Sequence, residues 1–199
     1  MHQREFKLFI FDVGGVLCDG TSVTHLISEY LSINQQEFIK LAKLSGLRDL
    51  QIGKITTGQF WENFSKLSGK RVEEDLWVKF FKPKLKLETA KLIEHLKMKY
   101  RVVAGTNTIE PHYRIHLENG DYRFFDRVYA SHQIGHLKPD DDFFQYILEE
   151  ESISPQEAFF VDDSFENVLV AQKLEICSVL FTNAHDLQSK LSSLKLIDS

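Results

Sequence analysis

Short, mostly apolar segments recur along the chain, and each is rich in β-branched or aromatic residues. They lie at residues 8–11, 101–104, 127–130, 158–161 and 178–181. Continuous apolar runs of this length are typical of strands buried on both faces, as in a parallel sheet. Between most of them, apolar residues recur at helical spacing. The pattern predicts an α/β fold built on a doubly wound parallel sheet.

One long stretch after the first predicted strand, residues 21–81, shows helical spacing throughout. Its apolar positions form stripes that include residues 23–31, 60–67 and 76–81. Strand–helix alternation resumes only after Pro83. We therefore expect a small helical cap, residues 21–82, inserted after the first strand of a Rossmann-like core formed by residues 1–20 and 83–199.

Polar residues follow three of the predicted strands, and a lysine lies in the loop before a later helix. They are Asp12 and Gly14, then Thr106 and Asn107, then Asp162 and Asp163, and Lys138 in the loop. Ligands of open parallel sheets bind at the carboxyl ends of the strands. We expect this edge to collect three carboxylates, a hydroxyl, an amide and an ammonium group.

Such a set of side chains suits phosphate chemistry. Three close carboxylates are stable as anions only beside a cation, and oxygen ligands favour a hard ion such as Mg²⁺. Lys138 adds positive charge, and Thr106 can donate a hydrogen bond to a phosphate oxygen. A carboxylate such as Asp12 can attack phosphorus and form an aspartyl-phosphate. Taken singly, each segment also reads as ordinary turn sequence at a strand end.

Composition narrows the class of protein. The 199 residues, 43% hydrophobic and 27% charged, suffice for one folded domain, or for one domain with a small inserted cap. A net charge of −5 argues against a nucleic-acid partner. Cys18 and Cys177 lack metal-ligand spacing and suggest reduced thiols in the cytoplasm. The N-terminal sequence resembles neither a signal peptide nor a membrane span, so we expect no membrane partner. We also expect a monomer or a weak homodimer.

Four segments, taken in order, resemble the four motifs of the haloacid dehalogenase superfamily. They are Phe11–Leu17, Thr106–Asn107, Lys138–Pro139 and Val161–Asn167. The stretch from Gly53 to Phe60 is similar to the helical cap of the branch whose cap lies between the first two motifs. Within that branch, the chain most resembles glucose-1-phosphatase-like proteins and the phosphatase domain of soluble epoxide hydrolase.

The resemblance implies a magnesium-dependent phosphatase that acts on a small-molecule phosphate monoester, with sugar phosphates among the candidates. It implies that Asp12 is the nucleophile and that Thr106 and Lys138 are catalytic. Phosphate would contact Thr106, Asn107, Lys138 and Gly14. The metal would be held by Asp12, Asp163 and the backbone carbonyl of Gly14, with Asp162 and Asn167 in an outer shell.

Gly14 departs from the family pattern. Most of its phosphatases carry an aspartate at this position, which protonates the leaving group and then activates water. Such a group is typically worth ~10²–10⁴-fold in rate. Three explanations are open: a substrate with a good leaving group, a replacement such as Asp19 or His25, or a protein that binds but barely turns over.

Four other histidines are scattered over loop-like sequence, which suggests structural or surface roles: His112, His116, His132 and His136. His132 and His136 precede Lys138 and are candidates to reach the edge of the sheet where the site is expected.

Other functions of this superfamily form the alternatives. A haloacid dehalogenase uses the same aspartate without metal, which would leave Asp162 and Asp163 without a cation. A phosphonatase needs a cap lysine for a Schiff base, and Lys40, Lys43 and Lys54 lie in the cap region without a mark of desolvation. A catalytically weak binding module is the third alternative, and Gly14 alone favours it.

Overall fold

The computed structural model describes residues 5–198, so residues 1–4 and Ser199 of the predicted core lie outside the described part. Its strands are β1 Leu8–Phe11, β2 Cys18–Asp19, β3 Lys84–Leu85, β4 Arg101–Thr106, β5 Arg127–Ala130, β6 Ala158–Asp162 and β7 Cys177–Leu180. Its α-helices are α1 Thr24–Tyr30, α2 Gln35–Leu44, α3 Leu47–Gln51, α4 Thr57–Ser68, α5 Leu76–Phe80, α6 Leu87–Lys97, α7 Glu110–Glu118, α8 Ser131–Ile134, α9 Asp141–Glu151, α10 Phe165–Lys173 and α11 Ala184–Ser193.

A five-stranded parallel sheet forms the centre of the fold, in the order β5-β4-β1-β6-β7. The central strand β1 pairs with β4 on one side and with β6 on the other. The chain therefore changes direction across the sheet at β1, which is where doubly wound sheets bind ligands. The predicted fold class is confirmed. Two of the five predicted strands have the observed bounds, and the other three differ by one or two residues at their ends.

Alternate residues of the sheet enter two separate apolar cores, because successive side chains of a strand point to opposite faces. Phe9 and Phe11 lie with buried residues of α6 and α11 on one face. Leu8 and Ile10 lie with buried residues of α9 and α10 on the other face. Helices thus cover both sides of the sheet and bury its strands, as the continuous apolar runs predicted.

The five helices α1–α5 share a third apolar core, which Ile109 before α7 also joins. Its centre contains Phe60, Phe64 and Trp77, whose rings pack at centroid distances between 5.4 and 6.3 Å. The helix α4 starts with a capping box formed by Thr56 and Gln59. The helical character expected for this stretch is observed from α1 to α5.

A short antiparallel ribbon of β2 and β3 flanks these helices, and the sequence pattern did not predict it. Cys18 pairs with Leu85 and Asp19 pairs with Lys84. Each strand has two residues, which is too short for a periodic signal. The ribbon brings the two ends of the helical stretch together beside the sheet. None of the helices within residues 5–198 is long and apolar enough to cross a membrane.

Candidate active site

The carboxylates of Asp12 and Asp162 are neighbours because of the strand register. Phe11 pairs with Val161 between β1 and β6, so the next residue of each strand lies at the same edge. The backbone N–H of Asp12 donates to the carbonyl of Val161 at 2.9 Å, which fixes the end of β1. Two negative charges are therefore held side by side at the carboxyl edge of the sheet.

Lys138 lies between these two carboxylates. Its Nζ is 2.8 Å from Asp12 Oδ1 and 2.7 Å from Asp162 Oδ2, and its side chain is 1% exposed. Burial alone would lower the pKa of Lys138, but the charges of Asp12 and Asp162 outweigh it and raise the pKa. The ammonium group therefore stays charged and binds the two strand ends together.

The carboxylate of Asp162 is fully engaged by protein donors. Besides Lys138, it accepts from the backbone N–H of Ser164 at 2.8 Å and from Asn167 Nδ2 at 3.0 and 3.1 Å. Ser164 also caps α10 with its side chain. Buried Asp162 and half-buried Asn167 thus form a frame that orients Lys138 and the start of α10.

Asp163 differs from Asp162, because its carboxylate is exposed and lines a cavity. Carboxylate oxygens of Asp12, Asp162 and Asp163 lie within 4.8 Å of one another. Burial raises the pKa of Asp12 to about 6, Lys138 opposes this, and Asp162 adds to it. Burial and Asp162 also raise the pKa of Asp163. Three carboxylates facing one ammonium group make a site that favours a further cation.

Thr106 is the last residue of the neighbouring strand β4, and Asn107 follows it. Thr106 is buried and lines the same cavity. The side-chain amide of Asn107 donates to the Lys138 carbonyl at 2.7 Å and accepts from the Lys138 N–H at 2.8 Å. The Asn107 side chain therefore holds the Lys138 loop, and the phosphate contact predicted for this residue stays a prediction.

All eight predicted site residues line one cavity of about 600 Å³. They are Asp12, Gly14, Thr106, Asn107, Lys138, Asp162, Asp163 and Asn167. The cavity also meets Thr21, Ser22 and His25 at the start of the helical stretch, and Asp19 on β2. Asp19 is exposed and forms an ion pair with Lys86 at 2.9 Å.

The four histidines set aside in the sequence separate into two pairs. His112 and His116 were expected in loops, but they lie one turn apart on α7. Both line the cavity. The Glu110-Pro111 start was a helix signal, since proline suits the first turn. Because α7 has few apolar residues, the hydrophobic periodicity of the sequence did not predict this helix. His132 and His136 do not line the cavity: His132 contacts Glu110 at 2.9 Å, and His136 lies beside the ring of Tyr146.

The two histidines of α7 have different hydrogen-bond partners. His112 Nε2 donates to the carbonyl of Trp77 at 3.0 Å, and its ring stacks on Phe81 at a centroid distance of 3.7 Å. Burial lowers the pKa of His112 to about 4. His116 Nδ1 lies 2.8 Å from Asp121 Oδ2, and both side chains are buried. Sequence spacing alone gave no sign of the contact between His116 and Asp121.

Comparison with known proteins agrees with this geometry. A model of the haloacid dehalogenase-like hydrolase family matches residues 6–174. The chain is 25% identical over 202 residues to D-ribitol-5-phosphate phosphatase of Bacteroides thetaiotaomicron, covering 94% of this chain and 97% of that protein. It is 34% identical over 95 residues to drimenol cyclase of Aspergillus calidoustus, but spans only 18% of that protein and 47% of itself.

A solved structure shows the same similarity across most of the fold. It is a haloacid dehalogenase family enzyme of Bacteroides thetaiotaomicron in complex with magnesium and inorganic phosphate. The TM-score is 0.72 at 27% identity, and the match covers 89% of this chain and 94% of that chain. The finer resemblance to glucose-1-phosphatase-like proteins stays a prediction. Since the family model matches most of the chain, this protein belongs to the haloacid dehalogenase-like hydrolase family.

Proposed function

We propose that the protein is a magnesium-dependent phosphatase that hydrolyses a small phosphate monoester through an aspartyl-phosphate on Asp12. One observation carries the proposal: Lys138 bridges Asp12 and Asp162 at the edge of a cavity that Asp163 also lines. The ammonium group neutralises part of the charge that a phosphate dianion would meet there. The relatives named for phosphatase activity and for a magnesium and phosphate complex support the same chemistry.

The donor set fits magnesium. The Asp162 oxygens are used by Lys138, Ser164 and Asn167, so Asp12 and Asp163 are the carboxylates with ligand capacity, and we assign the third contact to the backbone carbonyl of Gly14. Hard oxygen ligands and a retained hydration shell are what Mg²⁺ prefers. When bound, the ion supplies charge neutralisation for phosphate and nucleophile.

In the proposed reaction, one carboxylate oxygen of Asp12 attacks phosphorus and the bond to the leaving oxygen breaks. Lys138 and the hydroxyl of Thr106 hold the phosphoryl oxygens, together with the backbone N–H of Asn107. Lys138 also holds Asp12 in place through its 2.8 Å contact. Water then attacks the phosphoryl group and restores the Asp12 carboxylate.

The helical stretch serves this site as a cap in our proposal, with the cap at residues 21–82 and the core at 1–20 and 83–199. Its separate apolar core and the β2–β3 ribbon at its base support the division. Thr21, Ser22 and His25 line the cavity beside the carboxylates. A cap in this place excludes water from the phosphoenzyme and contacts the alcohol part of the substrate.

The cavity wall supports a hydroxylated leaving group, such as that of a polyol or sugar phosphate. Hydroxyl and imidazole groups line the same cavity at Thr21, Ser22, Thr108 and His25. These groups can exchange hydrogen bonds with substrate hydroxyls, which an apolar chain would leave unpaired. The similarity to a D-ribitol-5-phosphate phosphatase supports the same class.

The described residues speak against the alternative activities. Lys40, Lys43 and Lys54 are exposed and do not line the cavity, so the lysine required by a phosphonatase has no candidate among them. A metal-free dehalogenase would leave the Asp163 carboxylate beside Asp12 without compensation. A binding module would not need the buried Lys138–Asp12 contact.

The test is phosphate release from p-nitrophenyl phosphate and from a panel of polyol and sugar phosphates. Each substrate is assayed with Mg²⁺ and with a chelator, beside Asp12→Asn. We expect release with Mg²⁺ only, and none from the variant. The matched control is Asp19→Asn, an exposed carboxylate on the same cavity that the proposal leaves outside the reaction. Activity that survives in Asp12→Asn, or that needs no metal, would refute the proposal.

A further inference from the structure

The position that supplies the acid and base in most phosphatases of the family is Gly14 here. Position 14 carries no side chain, and an ideal Cβ there would lie 3.0 Å from Thr21 Oγ1 and 3.6 Å from Thr21 Cβ. The hydroxyl group of Thr21 thus occupies the space that a longer side chain would enter. Position 14 therefore supplies no carboxylic acid, and Thr21 takes up the space beside it.

His116 is held on the same cavity by a buried carboxylate. Its Nδ1 is 2.8 Å from Asp121 Oδ2, with the two side chains only 4% and 6% exposed. Because a carboxylate accepts hydrogen bonds, Nδ1 carries the proton and Nε2 is the ring nitrogen left for a molecule in the cavity. This arrangement fixes both the tautomer and the direction of the ring.

Three elements fix the Asp121–His116 pair. Asp121 starts the 3-10 turn Asp121–Phe124, and the thiol of Cys18 on β2 lies within 4.8 Å of its carboxylate. The ring of Phe81 meets the His116 ring edge-on at a centroid distance of 5.2 Å.

Burial lowers the pKa of His116, and the charge and hydrogen bond of Asp121 oppose this. The other titratable groups near it are His112 on the same helix and Tyr122, whose ring lies 5.4 Å away.

We propose that His116 is the acid and base of this phosphatase and that Asp121 is its positioning residue. The inference rests on the proposed function and deepens it. A histidine that moves protons replaces the aspartate that the family pattern places at position 14. The candidates suggested by the sequence, Asp19 and His25, are both exposed, and Asp19 is paired with Lys86.

The proton balance of the two steps is simple. In the first step, Asp12 forms a bond to phosphorus, the ester P–O bond breaks, and Nε2–H of the His116 imidazolium gives its proton to the leaving alkoxide. In the second step, neutral His116 takes a proton from water at Nε2 while the water oxygen bonds to phosphorus. The bond between phosphorus and Asp12 breaks, inorganic phosphate leaves, and the imidazolium is restored.

The decisive variable is the leaving group. We compare kcat/KM, which reports the steps up to loss of the alcohol, for an alkyl phosphate and for p-nitrophenyl phosphate. The nitrophenolate ion leaves without a proton, whereas an alkoxide needs one. His116→Gln is expected to lower kcat/KM by ~10²–10⁴-fold for the alkyl ester. For the aryl ester it changes kcat/KM little, and a burst of nitrophenolate precedes a slow steady state.

The matched control is His112→Gln, one turn away on α7 and on the same cavity. Its Nε2 is bonded to the Trp77 carbonyl, so we expect it to change the two esters by the same factor. A structural role for His116 predicts the same equal change for His116→Gln. Equal losses on both esters in His116→Gln would therefore overturn the inference.

Asp121→Asn gives a second and independent readout. The carboxylate opposes the effect of burial on His116, so its loss lowers the pKa of His116. The alkyl ester needs the protonated ring, and its kcat/KM should fall at a lower pH in the variant, by about one pH unit. The aryl profile should not move. Unmoved alkyl profiles would overturn the inference even if His116→Gln fails to fold. A wild type that releases phosphate from neither ester would instead refute the proposed function itself.

Discussion

The carboxylate of Asp163 lies directly against the main chain of Gly15. An ideal Cβ at Gly15 would be 1.9 Å from Asp163 Oδ2, and the Gly15 backbone has φ of +73°. Two features therefore require glycine at this position: the left-handed backbone, and the Asp163 carboxylate in the space that a Cβ would occupy. The loop after β1 thus packs directly against the Asp163 carboxylate.

Replacing Gly15 with alanine should displace Asp163 and weaken the magnesium site. We expect the Mg²⁺ concentration for half-maximal activity to rise by about tenfold or more, as when ligand positioning is disturbed. The measurement is a magnesium titration of the hydrolysis rate.

Gly69→Ala is the matched control for the backbone effect. Gly69 has φ of +69°, and a Cβ there would meet nothing within 4 Å. It should cost about 1–2 kcal/mol of stability, the usual penalty of a left-handed residue, and leave the magnesium titration unchanged. Equal magnesium curves for Gly15→Ala and wild type would contradict the placement of Asp163.

Removing the buried ammonium group should destabilise the fold as well as abolish activity. Lys138→Met leaves Asp12 and Asp162 buried without their partner, which typically costs about 3–5 kcal/mol. Added Mg²⁺ should recover part of this loss, since it restores positive charge beside Asp12. The measurement is the free energy of unfolding in urea, with and without Mg²⁺.

An exposed ion pair provides the comparison for Lys138. Lys66 lies 2.6 Å from Glu62, but their side chains are 68% and 64% exposed. Lys66→Met should change the unfolding free energy little, because solvent screens such pairs. If Lys138→Met were equally mild, the two carboxylates would not be held by Lys138 as described.

Acid should destabilise the protein partly through His112. Its pKa is about 4 in the folded protein against 6.5 for the ordinary group. Between these values the unfolded chain binds more protons, so this stabilising contribution is complete above pH 6.5 and is lost as pH falls toward 4. The wild type should lose about 2 kcal/mol between pH 7 and pH 5 through this group.

The control for His112 is His112→Gln, which keeps a side-chain N–H for the Trp77 carbonyl but does not titrate. Its unfolding free energy should fall less than that of the wild type over the same pH range. Parallel losses in urea unfolding at both pH values would show that His112 is not held in its neutral form.

An aspartate at position 14 should destabilise the fold unless the Thr21 side chain is moved or removed. Gly14→Asp brings its Cβ to 3.0 Å from Thr21 Oγ1, and overpacking of this kind costs roughly 1–3 kcal/mol. Thr21→Ala in the same chain should recover most of that stability, measured by thermal unfolding. Equal stability of the single and double variants would mean that Thr21 does not limit this position.

Much of the fold was predictable because its signals are local. The strands around β1 are continuous apolar runs, and their register follows from sheet pairing, so the convergence of Asp12, Thr106 and Asp162 could be expected. The helical stretch was equally clear from its apolar stripes. Two-residue strands such as β2 and β3 carry no periodicity, and the ribbon was missed for that reason.

The parts of the site that depend on side-chain direction were not predictable. The phosphate contact expected for Asn107 stays a prediction, whereas the bonds of its amide to the main chain of Lys138 gave no signal in the sequence. His116 was assigned a structural or surface role because the four histidines lack metal-ligand spacing. Its contact with Asp121 was not predictable, since Asp121 lies on a different element whose position is set by tertiary packing. Spacing reveals which residues share an edge, but not which atoms meet.

The most direct test of the account is the detection of a phosphoryl group on Asp12. With p-nitrophenyl phosphate the first step is fast, so the phosphoenzyme should accumulate and survive rapid quenching in acid. Mass spectrometry of the digested protein should place one phosphoryl group on the peptide that contains Asp12, only when Mg²⁺ is present, and never in Asp12→Asn. Sustained turnover by the wild type with no phosphoryl group at Asp12, or turnover by the variant, would contradict the account.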